Sequence, residues 1–292
     1  MLKMRSLLVA LCLFLLPVTA YGANDKALML TVFGTSTEAS ITFDELLPLV
    51  EKQFPDRKVV VPYTSGVIRN KLNAKIDDPA QKILSPTEML DKLKGEGFTD
   101  IAVVSTLLFP GVEHDKLKAS VESFDKANSG ITVTYTPPLL ADEAQLALAA
   151  KSIEKNMLKD GVNVVVAHGT HDGHAVEKVY ENLASMVAKS NSNARVGSIE
   201  GVPSMDDVMA WVGKQKAKDV RFVVFMFVAG DHAENDIASD EDDSLFSAAK
   251  ALGKNPSVAF VETSGGKRIA SLGLDPEYRQ LLLDYFAKQV GK

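Results

Sequence analysis

Two imidazoles and a carboxylate stand at the ends of apolar runs in the second half of this 292-residue chain. Asn163-Val164-Val165-Val166-Ala167 runs into His168, Val196-Gly197-Ser198-Ile199 leads to Glu200, and the run from Phe222 to Ala229 ends in Gly230-Asp231-His232. Runs this apolar read as strands buried on both faces, as in parallel sheets, and open α/β sheets place ligands at the carboxyl ends of their strands. A His2Glu set converging there suits a borderline divalent ion such as Co²⁺, Ni²⁺, Fe²⁺ or Zn²⁺, and it leaves coordination positions free for exchange or chemistry. One histidine at a strand end reads plainly as a hydrogen-bonded turn residue; three matched strand ends favour a site.

The first half carries the same pattern without the histidines. Leu28 to Thr35 parallels the run into His168, and Ile101 to Glu113 parallels the run into His232. Phe33 then stands where His168 stands and Glu113 where His232 stands. Val60-Val61-Pro62-Tyr63-Thr64-Ser65-Gly66 parallels the approach to Glu200, with Thr64 opposite Glu200. An ancient duplication explains the three matches, and it singles out His168, Glu200 and His232 as residues kept by one copy only. On the other copy Phe33 and Tyr63 offer flat apolar surface, Arg69 can pair with carboxylates of an anionic ligand, and Glu113 completes the ligand-facing set. Lys71 reads as part of a solvated helix face. His171 and His174 read as a solvent-exposed loop and His114 as a helix-start residue. The acidic run Glu234, Asp236, Asp240, Glu241, Asp242 and Asp243 serves both a helix N-terminus and the approach of a cation.

These side chains need a scaffold of alternating strands and helices, the pattern of an α/β fold with mainly parallel sheets. Strands are expected near 27–33, 58–62, 100–108 and 131–135, with helices at 42–53, 65–74, 86–95 and 114–127 between them. Ser85, Pro86 and Glu88 mark the third helix with a capping box. A helix from Asp142 to Met157 leads to strands near 162–167, 194–199, 219–228 and 258–262, separated by helices at 175–189, 204–215 and 240–252. Asp275-Pro276 opens a last helix to about Gln289. The expected organisation is a leader at 1–23, an N-terminal lobe at 24–140 and a C-terminal lobe at 141–292 carrying the metal site.

Lys3 and Arg5 ahead of the uncharged stretch Ser6 to Pro17, followed by small residues, form a cleavable secretory signal, too short for a membrane anchor. The expected location is therefore the periplasm. The only cysteine, Cys12, lies in that leader, so the mature chain has neither disulfide nor thiolate ligand. Loss of Lys3 and Arg5 takes the net charge from −6 to about −8, which disfavours nucleic acid as a partner.

With these residues in place, the chain resembles the class II chelatases, specifically the anaerobic sirohydrochlorin cobaltochelatases of the CbiK type, including their exported form. The resemblance covers nearly the whole mature chain. It rests on Val32-Phe33-Gly34-Thr35-Ser36, Ala167-His168-Gly169-Thr170, Val196 to Ser204 and above all Val228-Ala229-Gly230-Asp231-His232-Ala233-Glu234-Asn235-Asp236, running into Asp240 to Ser244. It implies a bilobal fold with a cleft, a cobalt site of His168, Glu200 and His232, and insertion of Co²⁺ into sirohydrochlorin, with Fe²⁺ or Ni²⁺ as alternative metals. The ion is then a substrate, the tetrapyrrole is the partner, and no organic cofactor is expected. His168 would both ligate the metal and accept pyrrole protons, and an imidazole beside a carboxylate suits that role. A homo-oligomer is compatible with the chain.

Exported relatives carry a Ser-Leu-His stretch on the third strand whose histidine ligates haem between subunits. Here the stretch reads Ser105-Thr106-Leu107, without an axial ligand. Ser239, Leu245 and His171 are further departures, at the cleft rim. Export also raises a competing expectation, a non-enzymatic periplasmic protein that holds a metal ion or a tetrapyrrole for delivery.

Overall fold

The computed structural model describes residues 25–170 and 176–291. The expected leader and His171 and His174 lie outside them. The first sheet comprises β1 (Lys26–Thr31), β2 (Lys58–Val60), β3 (Asp100–Ser105) and β4 (Thr132–Tyr135); the second comprises β5 (Val162–Gly169), β6 (Ala194–Glu200), β7 (Asp219–Val224) and β8 (Asn255–Val258). All pairings within both sheets are parallel, and the strand orders β2-β1-β3-β4 and β6-β5-β7-β8 are the same. The expected α/β fold of two similar lobes is what the chain adopts.

Strand side chains alternate between faces, and the burial follows that period. In β1, Ala27 and Met29 join Leu90, Leu93, Leu117 and Phe124 beneath α3 (Pro86–Gly95) and α4 (Val112–Ala127). Leu28 and Leu30 point the other way. In the second sheet, Val164, Val166, Phe222 and Val224 pack under α7 (Met205–Lys214) and α8 (Leu245–Ala251), while Val165, Ala167 and Val223 face inward. The two inward faces meet one shared core, filled by α1 (Ile41–Gln53), α5 (Glu143–Ser152), α6 (Val176–Ser190) and α9 (Pro276–Val290). The short α2 (Gly66–Asn73) buries none of its residues. The last helix returns to the first sheet: α9 packs on α1 and on β4, and Arg279 Nη1 reaches Glu45 Oε2 of α1 at 3.0 Å.

The registers test the internal repeat residue by residue. Thr106 N donates to Thr31 O at 2.9 Å and Phe225 N to Val166 O at 2.8 Å, the same bond in each sheet. Phe33 lies two residues beyond Thr31 and His168 two beyond Val166; Glu113 lies seven beyond Thr106 and His232 seven beyond Phe225. Both matches hold. The third shifts by one: Tyr63 bridges Val32 where Ser198 pairs with Ala167, so Ser65 and not Thr64 is the counterpart of Glu200. Backbone ladders set that register, and residue-type similarity alone did not resolve it.

Other boundaries move for identifiable reasons. The strand expected over 219–228 ends at Val224, because the carbonyls of Met226 and Phe227 accept from Leu272 N and Gly273 N instead of from a sheet neighbour. The helix expected from 240 begins at Leu245, capped by Ser244 Oγ accepting from Ser247 N, so the acidic residues 240–243 precede the cap. The strand expected over 258–262 is split between β8 and an antiparallel hairpin of β9 (Phe260–Thr263) and β10 (Gly266–Ile269). None of the helices among the described residues is long and apolar enough to cross a membrane.

Candidate metal centre

In an order such as β6-β5-β7-β8 the chain leaves β5 to one side and returns on the other, so the crevice over the ends of β5 and β7 is the switch point where α/β sheets take ligands. His168 is the penultimate residue of β5, and His232 opens the π-helical turn His232–Ile237 that follows β7. Their rings meet edge to face, with centroids 4.8 Å apart and planes at 88°. His168 is exposed and His232 partly so, which leaves both open to an incoming ion.

Glu200 ends β6, directly across the ladder from Gly169. Gly169 has φ +85°, and a Cβ there would stand 1.7 Å from the Glu200 carbonyl oxygen, so the strand end carrying His168 lies against the one carrying Glu200 because residue 169 has no side chain. Thr170 N then donates to Glu200 O at 3.0 Å. The first lobe has the same device, with Gly34 at φ +97° against the Tyr63 ring. Beneath the second one lies Tyr180 of α6. Burial pushes its phenol up to about 12, the Gly169 backbone hydrogen bond opposes the shift, and the Glu200 carboxylate adds to it. Among the described residues no three His, Cys, Asp or Glu side chains stand together as a ready metal cage. The histidines are in contact, and Glu200 ends the adjacent strand.

The first-lobe residues are placed differently from one another. Phe33 is 47% exposed at the end of β1, at the position His168 occupies in the other sheet. Tyr63 is packed against Gly34 and against Phe43, whose ring centroid lies 5.9 Å away, and burial raises its phenol, with Asp44 adding. Its ring belongs to the core edge more than to a ligand surface. Arg69 Nη1 donates to the carbonyls of Tyr63 and Thr64 at 2.6 and 2.9 Å, so this part of the guanidinium fastens α2 to the strand end. Glu113 pairs with Lys116 at 2.8 Å, and His114 is buried beside Asp115 and the Tyr135 ring. The apolar residues left exposed include Phe33, Val67, Val112 and Val202, all just beyond carboxyl ends of strands or in the first turns that follow.

The two carboxyl-terminal edges also touch. Gly230, ahead of His232, packs on Thr35, and Phe109 after β3 lies 4.6 Å by ring centroid from Tyr180. Glu234, beside His232, hydrogen-bonds Thr37 across the lobes; burial raises its carboxyl, an effect this bond partly offsets. Arg268 Nη2 pairs with Glu38 at 2.7 Å. The acidic run thus splits between a contact between the lobes at Glu234, a histidine partner at Asp236 and an ion pair of Asp240 with Lys250 at 2.5 Å. Tyr180 and Thr37 carry no sequence signal as site neighbours; Asp236 stands in the acidic run read as a cation lead-in, and its pairing with His232, four residues earlier, is what that reading lacks.

Comparison with known proteins places the chain and its fold. The family model described as cobalt chelatase (CbiK) matches residues 26–290. The chain is 30% identical over 253 residues to the sirohydrochlorin cobaltochelatase of Salmonella typhimurium, covering 80% of this chain and 92% of that one. It is 28% identical over 238 residues to the sirohydrochlorin cobaltochelatase CbiKC of Nitratidesulfovibrio vulgaris, covering 79% and 81%. The fold is also that of SirB from Bacillus subtilis, solved with Fe³⁺, at TM-score 0.62 and 11% identity, covering 91% of this chain and 95% of that one. The SirB complex with cobalt from Bacillus subtilis subspecies spizizenii gives TM-score 0.59 at 13% identity, with the same coverage. Matched along nearly all of its described length and carrying two histidines in contact over the switch point of its second sheet, the chain belongs to the CbiK family of cobalt chelatases.

Proposed function

We propose that the protein inserts Co²⁺ into sirohydrochlorin, with His168, Glu200 and His232 receiving the ion and the macrocycle lying over them against the apolar rim that includes Phe33. The observation that carries the reading is the edge-to-face contact of His168 and His232 at 4.8 Å, one at the end of β5 and the other in the turn after the adjacent β7, at positions whose first-lobe counterparts are Phe33 and Glu113. Insertion exchanges two macrocycle N–H protons for one divalent cation. The site must therefore both deliver the metal and take up protons. His168 lies exposed at the strand end, where its imidazole can release the ion and accept a proton, and the Glu200 carboxylate is a second acceptor on the neighbouring strand. Co²⁺ is the preferred metal, since imidazole and carboxylate donors suit borderline ions; Fe²⁺ and Ni²⁺ satisfy the same donors. We place the activity in the periplasm, on the strength of Lys3, Arg5 and the apolar run after them.

The test is an absorbance assay of cobalt insertion with purified protein. General acid–base groups contribute on the order of 10² to 10⁴ in rate, so His168→Ala should fall to near background, while His114→Ala, in the first lobe, keeps its activity. Equal rates with wild type, with His168→Ala and with no protein would refute catalysis. Stoichiometric binding of metal or macrocycle without turnover would replace it with a carrier.

A further inference from the structure

Asp236 lies one turn beyond His232 and is in contact with its ring. The segment 232–237 is wound as a π-helix, with Ala238 N donating to Ala233 O five residues back at 3.2 Å. In that wider turn Asp236 comes back beside His232, and its Oδ2 stands 2.6 Å from His232 Nδ1. The turn is anchored from behind: Ser239 Oγ donates to Asn235 O at 2.6 Å, and Ser244 Oγ to Ser239 O at 2.8 Å. An ionised carboxylate can only accept a hydrogen bond, so Nδ1 carries the proton and the ring's lone pair is on Nε2. His168 has the matching arrangement, its Nδ1 3.2 Å from the Gly169 carbonyl oxygen, which also only accepts. The two rings therefore present Nε2 as their donor atoms.

We propose that Asp236 is a positioning residue for the metal, holding His232 as an Nε2 donor and at the angle to His168 that a shared ion requires. The proposal rests on the reading of His232 as a metal ligand. Carboxylate partners of metal-binding imidazoles fix tautomer and ring orientation, and their loss lowers metal affinity about 10- to 100-fold. A contribution to folding does not explain the contact as well. The Asp236 side chain is 46% exposed and that of His232 41%, and exposed i,i+4 pairs add little to stability.

Calorimetric titration with Co²⁺ alone, without macrocycle, separates the possibilities. Asp236→Ala should bind Co²⁺ 10- to 100-fold more weakly, and Asp236→Asn, whose amide oxygen still accepts from Nδ1, should recover most of that loss. The KM for sirohydrochlorin should not move. In a His232→Ala background, adding Asp236→Ala should cost nothing more, because the residue acts through the ring. Wild-type affinity in Asp236→Ala, an Asn variant as weak as the Ala variant, or an equal loss in the His232→Ala background each overturns the proposal while leaving the metal site intact. Wild-type affinity in His232→Ala overturns the metal-site reading and this proposal with it.

Discussion

Replacing Gly169 with alanine should uncouple His168 from Glu200, and Gly97 supplies the control. Both glycines have positive φ, +85° and +88°, so alanine at either pays for a left-handed backbone, roughly 1–2 kcal/mol. At Gly97 nothing stands within 4 Å of the new Cβ, and the cost ends there. At Gly169 the Cβ would fall 1.7 Å from the Glu200 carbonyl oxygen and 2.7 Å from Ser198 Cβ, whereas real Cβ contacts essentially never come under 3.0 Å. The ends of β5 and β6 must separate by more than an ångström, and forced overpacking adds about 1–3 kcal/mol. Gly169→Ala should then lose about 2–5 kcal/mol against about 1–2 for Gly97→Ala, read by urea denaturation. Function should diverge more. A displacement of about 1 Å between catalytic groups costs on the order of 10²-fold in rate, so cobalt insertion should fall by that factor in Gly169→Ala and stay at the wild-type level in Gly97→Ala. If the two variants match in both stability and rate, the close approach at Gly169 does not set the site.

Intact-mass measurement on protein from its native host should find a mature chain beginning between Tyr21 and Asp25; Met1 retained in the soluble product would refute the leader. Purified protein should lack the absorbance of six-coordinate haem bound from β3, because Leu107 offers no imidazole and packs against the outer core of the first lobe. Such a spectrum, lost on changing a residue between Ser105 and Phe109, would refute that reading.

What the sequence made legible is what a local period imposes. Apolar runs such as Val164-Val165-Val166-Ala167 read as strands covered on both faces, and His168 lies at the end of such a strand, whereas His232 lies eight residues past the end of β7, in the turn that follows it. The capping box at Ser85 and Glu88 was legible for the same reason, being local, and it forms as expected. The features that escaped depend on distant partners. Met226 and Phe227 leave the sheet because residues 272 and 273 take their carbonyls, and no pattern within 219–228 encodes that. The return of α9 to α1 is likewise set by contacts such as Arg279 with Glu45, more than 200 residues apart. The β9–β10 hairpin has a local signal, Ser264-Gly265 at its turn, that a single strand over 258–262 does not use. Glu200 was found, but its partner in the repeat was misplaced by one residue, since only the ladder distinguishes Ser65 from Thr64.

The shared core gives the repeat its chemical consequence. Two identical sheet orders, held by one common layer of helices, keep the carboxyl-terminal edge of one sheet at a fixed place against that of the other. Equivalent strand ends then diverge without cost to the scaffold: Phe33 against His168, Ser65 against Glu200, Glu113 against His232. Each of these positions sits beyond the last hydrogen-bonded strand pairs or at their margin; Phe33 and His168 are exposed there, whereas Ser65 is buried and caps α2. One edge thereby keeps polar donors for an ion and the other keeps exposed apolar surface at Phe33 and Val112. Under the proposed function a metal ion and a flat macrocycle need different surfaces, and two sheets of the same strand order that differ at their strand ends, with Phe33 in one and His168 in the other, are suited to offering both.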